Sequence, residues 1–304
     1  MPKVSVIITT FNRANFLEKA IKSVLAQTYA DFELLILDNS STDNTEEVIL
    51  SFQDSRIRHI KHQPILISEA RNLGVREARG EFVAFLDDDD EWLEEKLKLQ
   101  IKVFENNSAD TGLVYGGFIW VDSNSREVGR HRSVLEGMIL GKLLVQKDFF
   151  TGSASNPMIR KSVFDTIGHY NEKVATGEDW ELYLRLAERY PINFTPEIVV
   201  KINQHAGPRL GDKLKSAAEL ELMVMDRYQE IFEKNRKLKS FYLQKIGGKF
   251  YRTGEVSRGR AYILQAIKIY PLNYIAYGQY LISLLGPIFY QKTHKGYQII
   301  KKRL

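Results

Sequence analysis

At 304 residues the chain is long enough for one large domain or two, and its 44% hydrophobic and 27% charged residues make an ordinary globular composition. The absence of cysteine excludes disulfides and thiolate chemistry, and suits a reducing compartment. The net charge of +5 conceals an asymmetry: from Lys234 onward fifteen Lys and Arg face a single acid, Glu255, so the residues before them are net acidic.

A basic end of that kind implies an anionic partner, nucleic acid or a membrane surface, or else a solvated basic helical face. At the other end, no basic segment with an apolar stretch precedes the first strand-like run, so no secretory signal is expected and the location reads as cytoplasmic. Apolar runs of strand length occur at Lys3–Thr9, Phe32–Leu37, Arg56–Lys61 and Phe82–Leu86. They alternate with segments of helical period at Phe16–Leu25, Thr45–Phe52, Ser68–Arg79 and Trp92–Phe104. Continuous apolar strands separated by amphipathic helices predict βαβ units and a parallel sheet covered on both faces. Such sheets bind ligands outside the carboxyl ends of their strands. The polar clusters fall there: Thr10–Arg13, Asp38–Asp43 and Asp87–Asp90.

From Gly112 the pattern changes. Apolar and polar residues alternate through Leu113–Val121, and shorter strand-like pieces lie near Asn156–Arg160 and Asn193–Ile202, which predicts a mixed sheet extending the parallel half. Trp180, Tyr183, Leu184 and Ala187 recur at helical spacing and predict a helix over Glu178–Arg189. The Gly- and Pro-containing stretch His205–Lys213 reads as a boundary or mobile segment. The expected division is a first domain over 1–205, a loop and connecting helix over 206–235, and a basic α-helical extension over 236–304. In the extension, the spacing of Leu243, Ile246, Gly247, Phe250, Gly259, Ile263 and Ala266 weakly resembles a tetratricopeptide-type helix pair, and a generic helical hairpin fits equally. Residues 269–291 carry no charge, but Pro271, Asn273, Gly278 and Pro287 interrupt them, so short helices that graze a bilayer are expected, not a span.

The acidic cluster is the most informative. In AFLDDDDEW, Ala84–Trp92, a strand meant for burial ends in four consecutive aspartates. Each close pair of carboxylates costs about 1 kcal/mol in water and several times more near a protein surface. Favourable charge at a following helix start explains one or two of them, Asp90 above all. A divalent cation explains the rest. Mg²⁺ and Mn²⁺ prefer hard oxygen ligands and are commonly held by one or two carboxylates together with substrate phosphates.

Five stretches then stand in order: KVSVIITTFNR (Lys3–Arg13), DNSSTD (Asp38–Asp43), ARNLG (Ala70–Gly74), FLDDDDEW (Phe85–Trp92) and GEDWELYLRL (Gly177–Leu186). Together they resemble family 2 glycosyltransferases, the inverting group with the GT-A fold, over about residues 1–205. The resemblance implies an α/β mixed sheet of Rossmann-like type flanked by helices, here followed by the helical extension. It also implies a nucleotide-sugar pocket lined by Thr9, Thr10, Phe11, Arg13, Asp38, Asn39, Arg71, Asp87 and Asp88. Phe11 offers a face for base stacking, and the residue matching Asp38 receives the imide N–H of uracil in the family, which favours a UDP-sugar. Asn39 and Ser40 depart from the acid and glycine that relatives commonly carry. Asp43 reads either as part of the pocket or as a cap of the Thr45 helix.

The resemblance assigns Asp89 to the Mn²⁺ or Mg²⁺ ion, in a run where the register can shift by one position, with His205 as a further ligand used by some relatives. Asp179 is implied as the base that deprotonates an acceptor hydroxyl, with Glu178 as its neighbour and Trp180 as an acceptor platform or plain core. Arg209 and Lys213 are expected to fold over the diphosphate. The expected function is metal-dependent, inverting transfer of a sugar to a saccharide or lipid-linked acceptor in polysaccharide or glycolipid assembly. The basic end is expected at the inner face of the cell membrane. The alternative is a helical-repeat scaffold or nucleic-acid-binding protein with an inactive N-terminal fold.

Overall fold

A computed structural model describes residues 1–132, 134–145, 151–204 and 214–286. These form two compact units, one of residues 1–172 and 178–204 and one of residues 173–177 and 214–286.

In the first unit the strands β1 (Val4–Thr10), β2 (Phe32–Asp38), β3 (Ile57–Lys61) and β4 (Phe82–Asp87) pair in parallel in the order β3-β2-β1-β4. The helices α1 (Ala14–Leu25), α2 (Thr45–Ser51) and α3 (Ile67–Glu77) connect them. The order reverses between β1 and β4, which opens a crevice at their carboxyl ends. The sheet continues through β8 (Met158–Arg160), antiparallel to both β4 and β6 (Leu113–Val121). β6 runs parallel to β9 (Ile192–Asn203) and antiparallel to β7 (Glu127–His131). Four further helices belong here: α4 (Lys96–Asn106), α5 (Leu140–Val145), α6 (Val163–Ile167) and α7 (Glu178–Ala187). This is the mixed α/β sheet that the alternation of runs predicts.

The pleat sorts the core. Val4, Val6, Ile8, Leu34 and Ile36 point to the face where Leu17, Ile21 and Val24 of α1 and Leu97, Ile101 and Phe104 of α4 pack. Each fully buried side chain of this size contributes about 1.5–3 kcal/mol relative to exposure. The opposite face receives α3 at close range. A Cβ on Gly74 would lie 2.7 Å from Ile7 Cγ2 and 2.9 Å from Leu37 Cδ1, so the glycine of ARNLG is what lets α3 rest on the sheet.

One expectation fails at Trp92. The helix predicted over Trp92–Phe104 begins at Lys96, and Glu91–Trp92 is a short strand, β5, paired antiparallel with Val200–Lys201 of β9. The Trp92 indole N–H donates to the Ser155 carbonyl at 2.7 Å, so tertiary pairing overrides a helical period that ran one turn too far.

The second unit contains α8 (Leu214–Arg227), α9 (Gln229–Lys234), α10 (Arg236–Arg252), α11 (Val256–Ile269) and α12 (Tyr274–Leu284). Asn235 and Asn273 cap α10 and α12 by accepting from Leu238 N and Ala276 N. Leu243, Ile263, Ala266 and Ala276 form a small shared core. Among the described residues no helix is long and apolar enough to cross a membrane.

Candidate active site

The β ladder brings the sequence motifs to one sheet edge. Thr9 lies between Leu37 and Asp87, and Thr10 lies beside Asp38. The loops after β1 and β2 then interlock: Asn12 N donates to Ser41 Oγ at 2.9 Å, and Asn12 Oδ1 accepts from Thr42 N at 2.7 Å. Asn12 and Ser40 both adopt left-handed backbone, with φ of 52° and 61°. Ser40 thus holds a conformation that glycine adopts without cost, and its hydroxyl is tied to His62 O at 2.6 Å. Asn39 is committed to the backbone of Ile65, accepting from its N–H at 2.9 Å and donating to its carbonyl at 3.1 Å.

Asp38 is fully buried. Its Oδ1 accepts from Ser41 N at 2.9 Å, while Oδ2 faces His59 Nε2 across 3.7 Å. Neither of those two facing atoms has a hydrogen-bond partner among the described residues. Phe11, just past the end of β1, is 52% exposed. Asp43 takes the capping alternative: its Oδ1 accepts from Thr45 N at 3.1 Å and its Oδ2 from Ala14 N at 3.3 Å, which joins the starts of α1 and α2. Burial works against that carboxyl, yet these donors and the Thr45 hydroxyl hold it below the usual range.

The four aspartates divide into separate tasks. Thr10 Oγ1 donates to Asp88 Oδ2 at 2.8 Å, and Arg13 Nη1 reaches Asp88 Oδ1 at 2.9 Å and Asp89 Oδ2 at 2.8 Å. Burial pushes the Asp88 carboxyl up to about 6 despite Arg13. Asp90 does not cap a helix, because α4 starts only at Lys96, behind Glu95. Its buried Oδ2 accepts from Ser155 Oγ at 2.6 Å and Ser153 Oγ at 3.0 Å, and its Oδ1 accepts from Asn203 N at 3.0 Å. Burial, then the charges of Asp87 and Asp89, raise it well above the carboxylate range. Asn203 Nδ2 also donates to Asp89 O at 2.6 Å, so the end of β9 fixes the turn.

Arg71 ties the two acidic motifs together. Its guanidinium is 4% exposed. Nη2 donates to Asp87 Oδ1 at 2.9 Å, and Nη1 donates to both Glu178 Oε1 and Asp179 Oδ1 at 2.8 Å. Burial alone would depress Arg71, but Asp179, Asp87 and Glu178 hold it above its ordinary value. The rings of Tyr170 and Phe85 lie 5.5 and 5.9 Å from its charge. Asn72, its neighbour in ARNLG, holds Tyr170 by accepting from its N–H at 2.9 Å and donating to its carbonyl at 3.0 Å.

Three carboxylates around one guanidinium leave excess negative charge. Burial, against the pull of Arg71, pushes Asp179 up to about 7 and raises Asp87 as well. Asp179 and Glu178 open α7 just after Gly177, whose φ of 78° turns the chain into the helix. Trp180 is buried with the core. Among the described residues no group of three or more His, Asp or Glu side chains is gathered as a ready-made metal cage. Hard oxygen donors under mutual repulsion at Asp87–Asp89 nonetheless fit a divalent ion whose shell a substrate's phosphates complete. His205, Arg209 and Lys213 lie outside the described residues. Sequence reasoning missed Ser153, Ser155, Asn203, His59 and Asn72, none of which stands in a charged or aromatic pattern of its own.

Comparison with known proteins gives this geometry its relatives. The profile of Glycosyl transferase family 2 matches residues 5–168. The chain is 39% identical over 123 residues to an Escherichia coli protein, UDP-Glc:alpha-D-GlcNAc-diphosphoundecaprenol beta-1,3-glucosyltransferase WfgD, covering 40% of this chain and 48% of that one. It is 46% identical over 97 residues to a Campylobacter jejuni protein, GalNAc(5)-diNAcBac-PP-undecaprenol beta-1,3-glucosyltransferase, covering 31% of each. An uncharacterized glycosyltransferase of Rickettsia felis is 29% identical over 211 residues, 67% of this chain and 35% of that one. The chain thus spans about a third to a half of these relatives' lengths. Among solved structures, S. aureus TarS 1-349 in complex with UDP-GlcNAc matches at TM-score 0.67 and 15% identity, over 97% of this chain and 91% of that one. Mannosyltransferase PcManGT from Pyrobaculum calidifontis, in complex with GDP-Man and Mn²⁺, matches at TM-score 0.57 and 16% identity, over 88% and 75%. The two structures share the fold, the profile spans more than half of the chain, and the chain belongs to glycosyl transferase family 2.

Proposed function

We propose that this chain is an inverting, metal-dependent glycosyltransferase that moves a sugar from a UDP-sugar to a hydroxyl of a lipid-linked saccharide, in the assembly of a surface polysaccharide or glycolipid. One observation carries the reading: Arg71 holds Asp87, at the end of β4, and the Glu178-Asp179 pair of α7 on a single guanidinium at 2.8–2.9 Å. The acids suited to a diphosphate-bound cation and the acids suited to proton abstraction therefore share one cluster.

Within it, Thr9, Thr10, Phe11, Arg13, Asp38 and Asp88 bind the nucleotide sugar. Phe11 stacks on the base, and the orphaned Asp38 Oδ2 accepts the uracil imide. Asp89 and its neighbours hold Mn²⁺ or Mg²⁺, which as a Lewis acid supplies the positive charge that a leaving diphosphate needs. Asp179 takes the acceptor hydroxyl proton as the acceptor oxygen bonds to the anomeric carbon. The carbon–phosphate oxygen bond breaks on the opposite face, and its electron pair leaves with UDP. A carboxyl held near 7 suits a base working at neutral pH. Glu178, buried beside it, keeps Arg71 oriented. The acceptor class is supported by the two relatives whose names specify diphosphoundecaprenol-linked substrates. The basic residues after Lys234 support contact with an anionic membrane surface.

Asp179→Asn tests the base. The variant is expected to keep UDP and Mn²⁺ binding by calorimetry while transfer falls by about 10²–10⁴-fold. Undiminished turnover removes Asp179 from the mechanism.

A further inference from the structure

α12 presents its large side chains outward. Asn273, Ala276 and Ser283 are buried: Asn273 Nδ2 donates to Ser240 Oγ at 3.0 Å, the Tyr251 hydroxyl donates to Ser283 O at 2.7 Å, and Ala276 joins the small core with Leu243 and Ile263. On the other side Tyr274, Tyr277, Leu281, Leu284 and Leu285 recur at spacings of three and four residues and form a single stripe. Tyr274 is 75% exposed, Leu281 63% and Leu285 64%, with Ile275 at the stripe's edge also exposed. The helix thus packs its small residues inward and leaves these larger apolar side chains outside, and a contiguous exposed apolar stripe marks an interaction surface.

The charge pattern selects the partner. A helix that pairs with another helix usually flanks its seam with charged residues of both signs. Residues 269–286 carry none, whereas Lys234–Lys268 hold ten Lys and Arg against Glu255 alone, and residues 287–304 add five more basic residues and no acid. Leucine flanked by tyrosine, in a segment from Lys234 onward whose charges are almost wholly basic, suits the boundary between anionic headgroups and acyl chains, where tyrosine rings settle with their hydroxyls in water. An eleven-residue helix is too short to span a bilayer but can lie in that plane.

We infer that α12 is a membrane-docking helix, which inserts Tyr274, Tyr277, Leu281, Leu284 and Leu285 into a leaflet containing anionic phospholipid. The inference deepens the lipid-linked acceptor reading by naming the surface that reaches the lipid, and it does not depend on the catalytic assignments.

Flotation of the whole chain with vesicles tests it, using phosphatidylcholine alone or mixed with phosphatidylglycerol. The unsubstituted protein is expected to float with the mixed vesicles and not with phosphatidylcholine alone. The pair Leu281→Glu, Leu285→Glu is expected to lose at least about tenfold in partitioning, and the neutral pair Leu281→Gln, Leu285→Gln to lose less. Both variants are expected to keep the thermal midpoint measured without lipid, because the side chains replaced are exposed. Protection by UDP and Mn²⁺, followed on the same samples, reports the nucleotide reading separately. The inference is overturned if the unsubstituted protein stays unbound, or if the glutamate pair floats as well as it does. A lowered midpoint in both variants would mean that another part of the chain covers the stripe. A dimer in light scattering that both variants dissolve would mean that a second copy does. Either result also overturns it.

Discussion

Arg71 is the residue on which the candidate chemistry turns, and its planar fork is what makes the arrangement possible. One guanidinium reaches three carboxylates from two distant motifs, which a single ammonium cannot do with the same geometry. Asp179 already sits near 7 because burial outweighs Arg71. Weakening that cation must push it higher, since the charged form loses its partner while the neighbouring carboxylates remain. Arg71→Lys is therefore expected to move the rising, acid-side limb of the kcat–pH profile upward by about one pH unit, and to lower kcat at neutral pH by about tenfold. Removing the cation altogether, as in Arg71→Met, leaves buried charge unpaired and is expected to cost about 3–5 kcal/mol of stability. A profile that stays in place in Arg71→Lys would separate the arginine from the proton transfer. In the sequence Arg71 was visible only as part of a motif, because Glu178 stands 107 positions further along the chain and nothing local marks the contact.

Elements show why some of this was legible and some was not. The strand ends announced themselves, since a buried parallel strand that stops at Asp38 or Asp87 can only deliver its charges to the sheet edge. The segment before β8 gave no such sign, yet it fixes the acidic turn. Ser155 Oγ accepts from Asp87 N at 3.0 Å and donates to Asp90 Oδ2 at 2.6 Å, while its carbonyl takes the Trp92 indole N–H. These contacts span between 63 and 68 residues and follow no local period. The same separation explains the misreading of Trp92, whose pairing with β9 has no signature near it. Lys96 belongs to this buried scaffold too, donating to Gln100 Oε1 and Asn156 O with its charge disfavoured by burial. Ser155→Ala strips one acceptor and one donor from buried groups, at a cost of about 1–3 kcal/mol for each group left unpaired. The expected result is a raised KM for the sugar nucleotide, a smaller loss of kcat than in Asp179→Asn, and a thermal midpoint lower by a few degrees. An unchanged KM would reduce Ser155 to a stability role.

For the whole molecule, the acids at the sheet edge act on stability in the opposite sense from the acids elsewhere. Glu33, Glu81 and Asp54 are held below their ordinary range, so what they contribute is present above about pH 4 and lost as pH falls through their folded values. Asp88 at about 6 and Asp179 at about 7 are held above theirs. The native chain thus keeps protons on these two carboxyls that the unfolded chain releases near pH 4, so at these two sites it binds more protons than the unfolded chain through the window up to about 7, whereas His169 and Lys96, both lowered by burial, act in the opposite sense. The contribution of Asp88 and Asp179 falls as pH rises through that window, and with two carboxyls outweighing the single His169 the metal-free protein is expected to be most stable near pH 5, with a thermal midpoint that declines toward pH 8. Mn²⁺ with UDP is expected to raise the midpoint more at pH 8 than at pH 5, because the carboxylates that repel one another at the higher pH are those that gain a counter-charge. Asp179→Asn removes one of the two titrations and is expected to flatten the decline without ligand. A metal-free midpoint that instead climbs steadily from pH 5 to pH 8, with the same slope in Asp179→Asn, would mean that Asp179 titrates as an ordinary surface acid and that the cluster lacks the charge imbalance that favours a cation.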